Sequence, residues 1–290
     1  MVIKTTKSQS GAAMVMVLLI SAILGVLVTV VSYQSRMLIK EQKLQNDYFL
    51  AKKAVDTSQA ILLQKLLTSP IWLLGVTESR LERVDLPLDL NFFGAEFTFE
   101  GVQVTLQDQS GLLSLIPTDR KSLRRVLLSN GISEKDTNIA VDSILDWMDK
   151  DDFQRLNGAE AMDYNVTGFP RNDHIQHISE LRNIKGVSGQ VFEIIKDNAA
   201  LFGAGTPITK YAPSHLLASL YGVERKKVGE DSELNVKKSV SNEEDAYPSR
   251  RLTMSLSAKV GHSQYNRHFT IVRGMATARP FFIAEYQVGN

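Results

Sequence analysis

An acid-rich stretch, DSILDWMDKDDFQRLNGAEAMDY, contains the residues of this chain best suited to chemistry. Six acids crowd a short segment in which only Lys150 and Arg155 are basic. Carboxylates at the C-terminal end of a helix meet the negative end of the helix dipole, so a positive group is needed to offset them. Hard oxygen ligands on a glycine-containing loop favour calcium over a transition metal. The acids are Asp146, Asp149, Asp151, Asp152, Glu160 and Asp163.

The residues alone leave two interpretations of this acidic segment open. Against the EF-hand calcium loop, Asp149, Asp151 and Glu160 match positions 1, 3 and 12. Phe153 and Gln154 fail positions 5 and 6, so the segment is not an EF-hand. A calcium loop of another kind and a solvated acidic loop capped by the neighbouring arginine explain the pattern equally well.

Other chemistry has weaker support. Asp149 and Glu160 form a candidate acid/base pair of the kind found in glycosidases, but no aromatic substrate cleft accompanies them, so we do not expect an enzyme. His174 and His177 lie close enough to begin a zinc site, although solvated histidines are the simpler interpretation.

The absence of cysteine excludes disulfides and thiolate chemistry. A net charge of +1 gives no global field toward nucleic acid or anionic lipid.

The N-terminal region predicts a membrane helix that continues as a stem. Lys4 and Lys7 precede an uncharged apolar run over residues 12–31, which is long enough to span a bilayer. The run lacks the small-residue exit of a secretory signal, and its basic side should stay cytoplasmic. No proline or glycine interrupts residues 26–66, so one helix of about 50 residues is expected. The apolar stripe of its second half is Leu44, Tyr48, Ala51, Val55, Leu62 and Leu66.

The rest of the chain predicts a sheet interrupted by helices. Alternating residues over 92–106, with a break at Gly101, indicate two strands, and residues 252–260 and 268–272 indicate two more. The pattern is helical from Thr118 to about Gly203, with Ser133, Ser179 and Ser188 as candidate N-caps. This order indicates a helical block inserted into a sheet domain. The charged segment 229–247 is expected to be a mobile loop that returns to the sheet.

The leader and stem resemble those of type IV pilins and type II secretion pseudopilins. In that class a prepilin peptidase cuts after the leader glycine, which is Gly11 here, and the new N-terminus, Ala12, is methylated. Most members carry glutamate at the fifth residue after the cut, where this chain has Met16. The resemblance therefore implies a subunit suited to the end of a fibre, where no subunit above needs that carboxylate.

Motifs further along the chain resemble the K-type minor pseudopilin family of type II secretion, GspK. They are DWMDKDD, then NGAE and a tyrosine, then ISELRNIKGVSGQVFEII, then ITKYAPSHLLASL. They occur in the family's order, and together with the leader and stem they cover residues 8–225. The last motif is degenerate, because Thr209, Lys210 and Tyr211 replace the polar residues of the family's turn.

This resemblance implies an α+β, pilin-like fold, with a long N-terminal helix packed on an antiparallel sheet and a large inserted α-helical domain of the SAM or helix-hairpin-helix kind. It implies a non-enzymatic tip subunit that primes a pseudopilus with I-type and J-type partners and other pseudopilus subunits. The subunit would sit in the bacterial inner membrane with a periplasmic C-terminal domain. The expected segments are a leader (1–11), a stem (12–66), a first head part (67–117), the insertion (118–248) and C-terminal strands (249–290). Family members bind calcium, and the ligands implied here are Asp149, Asp151, Asp152, Glu160 and Asp163.

A second functional hypothesis is a minor pilin of a type IV pilus or DNA-uptake machine. Residues 131–133 and 185–187 resemble helix-hairpin-helix turns, in which backbone amides at a helix N-terminus bind phosphate. Residues 118–205 carry 14 acidic and 11 basic residues, which is the wrong sign for DNA. We therefore expect no nucleic-acid partner.

Overall fold

The computed structural model describes residues 10–203, 205–223, 246–274 and 280–289. Most of the predicted leader, residues 1–9, lies outside these ranges, as does the predicted mobile loop 229–247 apart from its last two residues. The described chain forms two compact units. One unit is Met1–Lys53 with Lys259–Tyr265, and the other is Ala54–Ala258 with Asn266–Asn290.

Helix α1 is a single helix over Ser10–Thr68, as its uninterrupted pattern predicts. It ends just before Ser69 and Pro70, because proline lacks an amide hydrogen and disfavours helical geometry in the residue before it. Of the predicted stripe, Leu44 and Tyr48 remain 40% and 38% exposed. The later members are fully buried; they are Ala51, Val55, Leu62 and Leu66.

In the first unit, the stem contacts the turn that follows residue 260. Ser263 Oγ donates a hydrogen bond to the Leu44 carbonyl at 3.0 Å. The rings of Tyr48 and Tyr265 meet edge to face, with centroids 5.5 Å apart. The ring contact covers part of Tyr48, which is otherwise exposed.

In the second unit, five strands form the sheet, in the order β1-β2-β5-β6-β7. Pairs β1–β2, β2–β5 and β6–β7 are antiparallel. Glu100 and Gly101, which join β1 to β2, both have positive φ, the geometry of a tight hairpin turn. The strands are β1 (Phe93–Phe99), β2 (Val102–Asp108), β5 (Arg251–Val260), β6 (Ser263–Arg273) and β7 (Phe281–Gly289). The fold class expected from the sequence, a long helix with an antiparallel sheet, is confirmed.

Polar contacts fasten the second half of α1 to this sheet. Arg267 on β6 is buried and bonds to Asp56 at 2.6 Å and to Gln59 at 2.6 Å. Ser58 Oγ donates to the Phe99 carbonyl at 3.5 Å. Because the strands alternate buried apolar and exposed polar residues, the apolar side of the stem and one sheet face share a core.

The helical block is an insertion between β2 and β5. Asp108, the last residue of β2, pairs with Leu252 on β5, so everything between them leaves and re-enters the sheet at neighbouring points. In the sheet topology the insertion starts at Gln109, whereas the helical pattern predicted a start at Thr118. The insertion has a hydrophobic core of its own, made of residues between Leu113 and Leu220.

The described part of the insertion contains four α-helices and two short strands. Strand β4 (Ala199–Phe202) lies inside the predicted helical stretch and pairs in parallel with β3 (Leu113–Ile116), which precedes that stretch, so the prediction is wrong at β4. A 3-10 helix over Ile178–Asn183 replaces one predicted helix. That 3-10 helix is capped by His177, whose Nδ1 accepts from the Ser179 amide, so the prediction of Ser179 as the cap is wrong. The elements are β3 (Leu113–Ile116), α4 (Arg120–Ser129), α5 (Glu134–Met148), α6 (Gly189–Asn198), β4 (Ala199–Phe202) and α7 (Ser214–Tyr221); short helices α2 (Ile71–Leu74) and α3 (Glu78–Arg83) precede the sheet.

Candidate functional site

Helix α5 positions the acidic cluster. Ser133 caps its first turn, as predicted, by accepting from the Asp136 amide at 3.1 Å. Asp142 and Asp146 lie one turn apart on the same side of the helix, and both are buried. Asp149 is the C-cap, so the helix delivers three carboxylates to the loop that follows it.

The loop after α5 folds back over these carboxylates. Asn157 donates to Asp142 Oδ2 from its backbone amide at 3.4 Å and from its side chain at 3.1 Å. Arg120 pairs with the other Asp142 oxygen at 2.6 Å. A Cβ added to Gly158 would lie 1.7 Å from Asp146 Oδ2, so only glycine lets the loop approach this closely. Asp142 therefore has a structural role, as the anchor of the loop.

Arg155 supplies the positive group that the helix terminus requires. Its Nη1 bonds to Asp146 Oδ1 at 2.5 Å and also to Asp149 Oδ2. Its backbone amide donates to Asp146 Oδ2 at 3.2 Å. An acidic loop capped by this arginine is one of the two interpretations that the sequence leaves open, and the arginine does contact carboxylates of the loop. Asp146 is not among the predicted ligands, because the burial of its side chain depends on how the loop folds back.

Glu160 is a buried acid of this cluster whose carboxylate lacks a hydrogen-bond partner within the described chain. It is 6% exposed, and within the described chain neither of its carboxylate oxygens has a hydrogen-bond partner. Burial, followed by the charges of Asp146 and Asp149, raises its pKa to about 7. Asp149 Oδ1 is likewise buried and unpaired. Three carboxylate oxygens at this point can therefore accept a cation.

The other three predicted ligands are engaged in the loop itself. Asp151 Oδ1 accepts from the Phe153 amide at 3.0 Å, and Asp152 Oδ1 accepts from Asn172 at 3.0 Å. Asp163 pairs with Lys185 at 2.5 Å and accepts from Gln154 Nε2 and from the Glu160 amide.

No ready-made metal site appears in the part of the chain that the structure describes. No three acidic or histidine side chains there have their ligand atoms grouped closely enough to hold an ion, and this includes the pair His174 and His177. A cation at Glu160 and Asp149 would therefore require side-chain rearrangement.

The apolar half of α1 is the other functional feature. Within the described residues, one helix, Ala12–Thr68, contains a stretch long and apolar enough to cross a membrane, with a mean hydropathy of 3.0 and none of that stretch buried. Met16 lies in it and is 68% exposed. Exposed apolar surface of this extent is unfavourable in water and requires lipid or neighbouring helices.

Part of the chain, mostly within the inserted region, matches a known family. Residues 105–201 match the family model for the type II secretion system (T2SS), protein K, which confirms the family resemblance over that segment. The chain is also similar in structure to a chain of the GspK-GspI-GspJ complex from the enterotoxigenic Escherichia coli type 2 secretion system. That match has a TM-score of 0.50 and 15% identity, and it covers 88% of this chain and 99% of the other. No curated protein sequence matches.

Proposed function

We propose that this chain acts as a K-type minor pseudopilin at the tip of the secretion pseudopilus, because residues 105–201 match the type II secretion system protein K model and the fold resembles a chain of the GspK-GspI-GspJ complex. The observation that carries the proposal is the architecture: a protein K domain is inserted into a sheet borne by one long helix, apolar at its start. In this role the chain primes fibre assembly with I-type and J-type minor pseudopilins. The fibre then supports export of folded proteins across the outer membrane.

The properties of α1 support a subunit that moves between membrane and fibre. Its first part is uncharged and exposed from Ala12 to Val31, so it is stable in a bilayer or among similar helices. The basic residues before it favour a cytoplasmic N-terminus and a periplasmic head. We propose that the leader is removed after Gly11 and that Ala12 is methylated, as in pilin-like proteins.

Met16 and the insertion support a position at the tip. A thioether at residue 16 cannot neutralise the charged N-terminus of a neighbouring subunit inside an apolar fibre, where an unpaired charge costs several kcal/mol. A subunit without that carboxylate suits the end of the fibre. The insertion has a separate core and adds bulk to the head. We infer that this bulk would obstruct a subunit stacked above it.

We also propose that the acidic cluster binds calcium. The unpaired oxygens of Glu160 and Asp149 are hard ligands, and Asp146 adjoins them. Of the remaining carboxylates implied by the family, those of Asp151 and Asp152 lie near enough to raise the pKa of Glu160, whereas Asp163 is paired with Lys185. Bound calcium would neutralise the cluster and tie the end of α5 to its loop.

The burial of Glu160 argues against catalysis. A general acid or base has to reach the proton that it transfers, and a side chain that is 6% exposed presents almost no surface to a substrate. Its raised pKa is the result of burial among other carboxylates, which structural clusters also produce.

A direct test combines assembly with secretion. The full-length chain is co-expressed with I-type and J-type partners and extracted in detergent, and we expect a stable ternary complex. Deletion of its gene in the host should leave exoproteins in the periplasm, and the wild-type gene should restore export. Normal export in the deletion strain, or failure to bind either partner, would contradict the proposal.

A further inference from the structure

The acidic cluster already contains a cation, the guanidinium of Arg155. It bridges Asp146, whose side chain is fully buried, and Asp149, whose side chain is 23% exposed. The Arg155 side chain is itself 35% exposed, so one side of it faces solvent. The charge of the cluster is thus partly balanced without any metal.

That balance is incomplete. Glu160 is more than nine-tenths buried and lacks a hydrogen-bond partner on either carboxylate oxygen, and Asp149 Oδ1 is unpaired as well. With Glu160 ionised, three carboxylates face one guanidinium. Orphaned oxygens of this kind call for a second cation or for rearrangement of the first.

A divalent ion at this cluster competes with Arg155 for the oxygens of Asp146 and Asp149 that the guanidinium holds. A hard divalent cation needs six to eight oxygen ligands, whereas Arg155 occupies Asp146 Oδ1 and Asp149 Oδ2. A guanidinium has only donors, so it cannot serve as a ligand, and its charge repels the metal at short range.

We propose that Arg155 is a resident counter-cation that a divalent metal must displace, and that this competition sets the metal affinity of the cluster. The proposal rests on the calcium site put forward above. It concerns a residue of this chain that is not among the expected ligands.

The backbone permits the exchange without unfolding. The Arg155 amide bonds to Asp146 Oδ2 at 3.2 Å, and the Asn157 amide and side chain bond to Asp142. These contacts do not involve the guanidinium, so the loop stays anchored when that group swings into solvent. Displacement is therefore a side-chain movement.

The test is calcium titration calorimetry of the full-length chain in detergent, comparing wild type with Arg155→Met, which keeps an unbranched apolar side chain and removes the charge. Removing a competing unit charge a few ångströms away should tighten calcium binding by about tenfold or more. The matched control is Arg171→Met, because the Arg171 side chain is also 35% exposed and pairs with Glu180 at 3.2 Å elsewhere in the insertion. The control should bind calcium like wild type.

The outcomes separate the two proposals. Tighter binding by Arg155→Met alone supports displacement, as does binding by that variant when wild type shows none. Equal or weaker binding by Arg155→Met overturns displacement while leaving the calcium site intact. If no protein binds calcium, both the calcium site and the displacement of Arg155 are overturned. The pseudopilin proposal is unaffected, because the partner and export experiments test it separately.

A second measurement needs no substitution, in case the variant does not fold. The guanidinium resonances of ¹⁵N-arginine-labelled wild type should include one set held by carboxylates without metal. Calcium should move that set to the position of solvated arginine. Guanidinium resonances that stay unchanged at saturating calcium would overturn displacement.

Discussion

Replacement of Glu160 by glutamine should stabilise the fold when calcium is absent and should remove the stabilisation that calcium gives to wild type. The Glu160 pKa rises from 4.5 to about 7 on folding, so the folded state holds this proton more tightly than the unfolded state. The stability tied to that proton is fully present below pH 4.5 and is lost as pH rises through about 7. At about 1.4 kcal/mol for each pKa unit, the upper limit is roughly 3.5 kcal/mol. Water and side-chain movement relieve part of the cost of burying the charged carboxylate. We therefore expect the free energy of unfolding to fall by about 1–2 kcal/mol as this proton is lost.

The assay is urea unfolding of the full-length chain in detergent, followed by the fluorescence of the buried Trp72 and Trp147. In EGTA, Glu160→Gln should be more stable than wild type at pH 8 and equal to it near pH 4.5. In calcium at pH 8, wild type should gain stability and Glu160→Gln should not. Glu193→Gln is the control: that side chain is 52% exposed and paired with Arg182, and the change should shift stability by less than about 0.5 kcal/mol. A difference independent of pH, or equal calcium stabilisation of Glu160→Gln and wild type, would refute the reasoning.

Four further predictions test other parts of the account. Gly158→Ala should cost roughly 3 kcal/mol in urea unfolding, because its Cβ would collide with the Asp146 carboxylate, and an unchanged midpoint would contradict that packing. Ser133→Ala should lose about 1 kcal/mol by removing the cap of α5; no loss in the same assay would mean that the cap adds little. Gly11→Val should leave the leader attached, which intact-mass spectrometry of membrane extracts detects, and a processed product would argue against cleavage there. DNA retention by the chain should be negligible at physiological salt, and binding that weakens steeply with salt would favour the DNA-uptake alternative.

Regular local patterns made much of the fold predictable. The stem follows from an unbroken apolar and then amphipathic run, and the hairpin at Gly101 follows from strict alternation on either side of a turn. The caps at Ser133 and Ser188 follow from residue type and position, and both bond as predicted. Each of these signals lies within a few residues of the feature that it specifies.

Features that depend on distant contacts were not predictable. Strands β3 and β4 have four residues each and pair in parallel across most of the insertion, so neither carries a strand signal by itself. Residues Ala199–Phe202 follow a helix and continue its apolar character, which is why they were assigned to a helical block.

In the candidate site, too, local features were predictable and features that depend on distant contacts were not. Spacing located the acid-rich segment but could not tell which carboxylates turn inward. Asp146 faces the cluster because the loop folds back to Gly158 and Arg155, whereas Asp151 Oδ1 accepts a hydrogen bond from the loop backbone. Sequence spacing carries no information on that return path.

The pairing of Asp108 with Leu252 has a consequence for how this head could have arisen. Antiparallel neighbours can be joined by a turn of two residues, so the sheet needs nothing between β2 and β5 except such a turn. Without the insertion, the strand order β1-β2-β5-β6-β7 is a simple meander in which each strand lies beside the next. An ancestral head could therefore have acquired the inserted region at a single hairpin, with every strand register preserved. The insertion can then change in length or sequence without altering the pairing of the sheet.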